Sequence, residues 1–201
     1  YSIRHKITYR NSFNPTNIYE NRLRPFRVLM ADTLQTADTA NKYFNGAMDI
    51  AAGTYHTVAI NDNYVYTWGY NGNSQLGDGT TTDLRHPEKI TAFTENQISH
   101  VYALSSGSAA MTSDGHVYTW GDNSRGQAGF NTTKKTINEP TEVLVNGKPM
   151  ENIVSVAAGD NFSLAVDKDG TVWSWGRNDA GVGQLGRKLS SGTSVYSPRK
   201  V

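Results

Sequence analysis

One stretch recurs three times and constrains the fold more than any other. It reads Val65-Tyr66-Thr67-Trp68-Gly69-Tyr70-Asn71, then Val117-Tyr118-Thr119-Trp120-Gly121-Asp122-Asn123, then Val172-Trp173-Ser174-Trp175-Gly176-Arg177-Asn178. A period of roughly 50 residues between copies signals a repeat architecture, in which each unit is one supersecondary element. Within a copy Val65, Thr67 and Gly69 alternate with Tyr66 and Trp68. Alternation with period two makes this a strand.

The flanks of that strand repeat as well. Before it stands a strand of small residues, with Ala51-Ala52-Gly53 in the first copy and Ala157-Ala158-Gly159 in the third. Turns at Asn61-Asp62-Asn63, Ser113-Asp114-Gly115 and Asp167-Lys168-Asp169-Gly170 supply the positive φ angles that a tight hairpin needs. After the tryptophan comes a Gly-rich bend, and later a strand led by proline. Each repeat thus predicts a four-stranded blade, which has too little core to stand alone. Blades packed face to face around an axis bury the aromatic faces of their neighbours. The small residues suit the crowded strand nearest that axis. The expected boundaries are a divergent segment over 1–48, readable as part of a preceding blade, then blades over 49–97, 98–152 and 153–201.

These residues resemble the repeats of the regulator of chromosome condensation family. The first copy matches through Ala52-Gly53, His56, Trp68-Gly69, Asn71, Gln75-Leu76-Gly77 and Pro87. The third matches through Ala158-Gly159, Asp169-Gly170, Trp175-Gly176, Asn178 and Gly183-Gln184-Leu185-Gly186, with Phe162 in place of the histidine and two extra residues before the glutamine. The second departs most, with Leu104 for the glycine and Gly107 for the histidine. The resemblance implies an all-β propeller of three clear blades plus a partial or divergent one. Rings in this family usually close with seven blades, so an open arc, a fragment or a ring closed by a second copy is expected. The Gln-Leu-Gly-Asp-Gly-Thr run resembles bacterial members. Under this reading Trp68, Trp120, Trp175, Gly53, Gly159 and His56 are structural blade residues.

Composition excludes several functions. Without cysteine the chain has no disulfide framework, cysteine metal site or thiol nucleophile. A net charge of +1 gives no global field to select nucleic acid or an anionic membrane. No apolar run approaches the length of a membrane span. The segment over 1–27 carries Arg4, Lys6, Arg10, Arg22, Arg24 and Arg27 against Glu20, which reads as a solvated basic edge. An extracellular or cell-surface setting is favoured over a cytoplasmic one.

No catalytic motif is present: no phosphate loop, nucleophile elbow or zinc-binding His-Glu-x-x-His. The five histidines lack ligand spacing, and the Asp167–Gly170 run lacks the acidic ligands of a calcium loop. Asn131-Thr132-Thr133 and Asn161-Phe162-Ser163 are glycosylation sequons, the second assigned to an inner strand. The expectation is a non-enzymatic scaffold with no cofactor and no metal, binding a protein partner through loops on one propeller face. Candidate contacts there are Tyr55, Tyr64, Tyr70, Arg125, Arg177 and Asp179, residue types favoured at hot spots. Alternatives are inhibition of a secreted enzyme, guanine-nucleotide exchange on a small GTPase, and carbohydrate binding. Self-association or a parent chain completing the ring is a further possibility.

Overall fold

The computed structural model describes residues 44–93, 98–130, 132, 134–179, 182–187 and 194–201. The segment over 1–43, with its basic side chains and the proposed partial blade, lies outside the described residues, as does Asn131 of the first sequon. What is described falls, from Gly46 onward, in one compact unit.

Three antiparallel meanders form there, one per repeat. The first comprises β1 (Ala47–Ala52), β2 (His56–Asn61), β3 (Tyr64–Gly69) and β4 (Leu84–Lys89). The second comprises β5 (Ile98–Ala103), β6 (Gly107–Thr112), β7 (Val117–Asp122) and β8 (Thr136–Glu142). A two-stranded hairpin follows, β9 (Leu144–Val145) and β10 (Lys148–Pro149). The third meander comprises β11 (Ile153–Ala158), β12 (Phe162–Asp167), β13 (Val172–Gly176) and β14 (Val195–Lys200).

The copies agree down to their irregularities. Register slips at Ala47/Asp49, Ile98/His100 and Ile153/Ser155 in the first strands. It slips again across each tryptophan, between Thr67 and Gly69, Thr119 and Gly121, and Ser174 and Gly176. A bulge of this kind re-aims a side chain. The glycine after each tryptophan has φ of 110°, 95° and 104°. A Cβ there would strike the backbone of the loop before the second strand, at Ser106 O and Asn161 O in the second and third copies (2.8 and 2.6 Å). Glycine is therefore required on two counts, angle and space.

The core lies between blades rather than within them. One buried cluster joins Val58, Ile60, Val65 and Ile90 of the first blade to Val101, Ala110, Trp120 and Ile137 of the second. Another joins Met111, Val117 and Val143 of the second to Ile153, Val156 and Trp175 of the third. Each blade therefore turns its Val/Thr face to the blade that follows and its Trp face to the blade before it. β6, sandwiched on both sides, is buried along its whole length. The first strands converge, with β5 lying against both β1 and β11.

Candidate functional site: blade seams and the loop face

Every seam uses the same clasp. The Gln75 carbonyl accepts from the Trp120 indole N–H (2.9 Å) and from the Ser108 hydroxyl (2.8 Å). One blade on, the Gln127 carbonyl accepts from Trp175 Nε1 (2.9 Å) and Ser163 Oγ (2.9 Å). These donors are buried, so satisfying them without water is what makes the indole position tolerable. The bend that carries the glutamine is held from inside. Asn71 Oδ1 accepts from Leu76 N–H, and Gln75 Oε1 accepts from Asn73 N–H. Asn123 and Gln127 repeat both bonds with Ala128 and Arg125. Gly77 then lies flat on the next tryptophan, where a Cβ would sit 2.7 Å from the Trp120 ring.

Trp68 is only partly buried, whereas Trp120 and Trp175 are 1% and 0% exposed. The far side of the third blade is exposed. Val172 is 39% exposed against 0% for its counterparts Val65 and Val117, and Val201 is 56% exposed against 2% for Ile90 and 0% for Val143.

The departures in the second copy are a compensating swap. In the first blade the His56 ring lies against Gly53, and in the third the Phe162 ring lies against Gly159; a Cβ on either glycine would overlap the ring. In the second blade the ring is absent at Gly107, and Leu104 fills the space, 4% exposed. His56 reaches across its seam, with Nε2 3.0 Å from Gly107 O and 2.9 Å from Ser108 Oγ. Burial pushes its pKa down to about 4, partly offset by the Gly107 carbonyl.

At the loop face one backbone bond recurs. Tyr70 N–H donates to Tyr55 O, Asp122 N–H to Ser106 O, and Arg177 N–H to Asn161 O, all at 2.8–2.9 Å. The side chains on this frame differ in each blade. Tyr55 and Tyr70 meet edge to face with ring centroids 6.4 Å apart, and Tyr55 is 74% exposed. Arg125 is exposed in the bend of the second blade. Arg177 donates to Asp179 (2.7 Å), and Asp179 N–H donates to Gln184 Oε1 (3.2 Å), so both charges are already engaged.

Tyr64 does not belong to this face. It opens β3 directly after the β2–β3 hairpin, at the opposite end of the strand from Gly69, roughly 17 Å away along a strand of that length. There Lys89 Nζ sits 3.0 Å from its ring centroid. Asn161 is not part of an inner strand. It lies in the bend before β12, partly exposed, and only Ser163 of that sequon is buried.

The hairpin end carries the remaining titratable contacts. Asp167 accepts from Asp169 N–H, Thr171 N–H and the Trp173 indole, so its carboxylate closes a turn. Those bonds, the Trp173 one foremost, lower its pKa. His116 Nδ1 lies 2.6 Å from Glu142, which raises the imidazole pKa. Among the described residues no group of three His, Asp or Glu side chains could hold a metal ion, and no helix is long and apolar enough to cross a membrane.

The model of the regulator of chromosome condensation (RCC1) repeat matches residues 62–111 and 114–166, and a second model of the same repeat matches 99–127 and 153–182. The chain belongs to the RCC1 repeat family. It is 38% identical over 134 residues to the human E3 ubiquitin-protein ligase HERC2, covering 64% of this chain and 3% of that one. It is 35% identical over 147 residues to the zebrafish Protein RCC2 homolog, covering 73% and 28%. Among solved structures, human WBSCR16 superposes with a TM-score of 0.66 at 24% identity, covering 77% of this chain and 39% of that one. Prp20p of Saccharomyces cerevisiae, described with its binding to Gsp1p and histones, gives 0.60 at 21%, covering 77% and 38%. The fold is thus that of a partial RCC1-type β-propeller, and the chain spans well under half the length of each. These relatives are eukaryotic, so the bacterial character read from the Gln-Leu-Gly run finds no support in them.

Proposed function

We propose that this chain is a non-enzymatic protein-interaction scaffold whose loop face presents blade-specific side chains on a shared frame. The observation that carries the reading is the thrice-repeated backbone bond with three different side-chain pairs on it: Tyr55/Tyr70, Ser106/Asp122 and Asn161/Arg177. Rigid frames with variable tips suit recognition. The exposed, mutually packed tyrosines offer contact area at low entropic cost.

The binding described for Prp20p suggests the first probes, a small GTPase and a core histone. Each would be titrated against the immobilised chain, its Tyr55→Ala/Tyr70→Ala variant and, as a control on the hairpin end, Lys168→Ala. The proposal expects binding lost in the first variant and kept in the second. Binding that ignores the tyrosines, or no binding to either probe, counts against it. Accelerated nucleotide release from the GTPase would shift the reading to nucleotide exchange.

The exposed Val172 and Val201 support a second reading, a docking surface for a further blade of the same kind, supplied by a longer chain or by a second copy. Sedimentation at two concentrations tests self-association through it. A constant monomer mass removes the second copy as occupant.

A further inference from the structure

The two seams share their clasp but differ at one buried group. In the first seam His56 stands between blades, 3% exposed. The hydrogen of Ser108 Oγ goes to the Gln75 carbonyl, so toward His56 that oxygen can only accept. The Gly107 carbonyl accepts too. Both contacts therefore require the hydrogen on Nε2, which leaves Nδ1 bare. Nδ1 is buried with no hydrogen-bond partner. Gly53 lies against the Cε1–Nδ1 edge.

The side chains around the ring carry no charge that would hold a proton there. On its own sheet the ring lies against Gly53, and across the seam it reaches Gly107 and Ser108; none is ionisable. Desolvation and the Gly107 carbonyl account for the shift in its pKa, and no charged group contributes.

We propose that the seam between the first and second blades is an acid-opened joint, sprung by a proton on Nδ1 of His56. A hydrogen there would be a buried charged donor with no acceptor, which the closed seam cannot accommodate. Opening lets the imidazole hydrate. The second seam lacks the device, because Gly107 stands where the histidine would be and Leu104 fills the volume.

The sign follows from linkage. The closed state holds a pKa of about 4, and the hydrated ring returns to its ordinary value of 6.5. The open state then binds more protons between those values, so closure weakens as pH falls from about 6.5 toward 4. Between pH 7 and pH 5 the opening equilibrium should rise roughly 20-fold.

The two indole hydrogens report the seams separately: Trp120 Nε1–H bonds across the first and Trp175 Nε1–H across the second. Their solvent exchange, corrected for the intrinsic pH dependence of indole exchange, is measured by NMR at pH 7 and pH 5. Trp120 should open roughly 20-fold more often at the lower pH, with Trp175 unchanged. His56→Phe, which copies the Phe162 over Gly159 arrangement, should remove the response. Equal behaviour of the two indoles, or an acid response that survives His56→Phe, overturns the proposal. Should that variant fail to fold, the imidazole titration of the unaltered chain decides: a pKa near 6.5 for His56 in the folded protein also overturns it.

Discussion

The seam between the first and second blades and the seam between the second and third have the same frame and different fillings. Both are closed by a main-chain carbonyl that accepts from an indole and a serine hydroxyl. The first adds polar links: His56 to Gly107 and Ser108, Asp49 Oδ2 to Val101 N–H (3.0 Å), Thr54 to Ser105, and Ser74 to Asn138. The second buries Met111, Val143 and Met150 against Ile153, Val156 and Trp175. The difference teaches that the clasp defines a seam, while the surrounding side chains set how it responds to its medium.

The sharpest way to break the comparison is to remove its common part. Trp120→Ala and Trp175→Ala should each cost about 3–5 kcal/mol by urea denaturation, because each ring is fully buried. Trp68→Ala should cost clearly less, since that ring is only partly buried. Equal losses at all three would show that the partial exposure of Trp68 carries no energetic meaning.

The swap in the second blade gives the next effect. Leu104→Gly alone should cost about 2–4 kcal/mol through the cavity it leaves. Gly107→Phe alone should cost about 1–3 kcal/mol through overpacking. Together they recreate the Gly159/Phe162 arrangement, so the double variant should recover at least about 1 kcal/mol relative to additivity. A strictly additive pair would mean that Leu104 and Gly107 do not share one space.

The smallest effect separates two histidines of opposite sense. Burial lowers the pKa of His56, so its contribution is lost as pH falls below 6.5. Glu142 raises that of His116, so its contribution is present below 6.5 and lost as pH rises through the raised value. Glu142→Gln should move the His116 imidazole titration down toward 6.5 by NMR, with His56 unmoved. An unchanged His116 would remove Glu142 as the cause.

The sheets were legible because a strand pattern and its turns are local. Val65 to Gly69 alternates, Asp-Asn and Asp-Gly turns precede this strand in the repeats, and one four-stranded sheet per repeat results. The β9–β10 hairpin went unread although its signal was present: Asn146-Gly147 takes φ of 52° and 79° between Leu144-Val145 and Lys148-Pro149. Leu104 and Gly107 read as a weakened copy because the eye compares each position with its own column. Their relation is across the loop, and only the pairs Gly53/His56, Leu104/Gly107 and Gly159/Phe162 taken together expose it. Tyr64 was grouped with Tyr55 and Tyr70 because all three sit beside turns. Alternate turns of a meander lie at opposite ends, so the strand count separates them.

The acceptor in each clasp is a backbone carbonyl, while its donors are side chains of the following blade. A blade is therefore directional, with a socket on one side that any residue at that site would supply and a plug on the other that depends on two particular ones. Copying such a unit yields a piece that already fits its parent in one order and in no other. Lineages can then lengthen an array by duplication and afterwards diversify the fillings, as the equivalent pairs Gly53/His56, Leu104/Gly107 and Gly159/Phe162 here record.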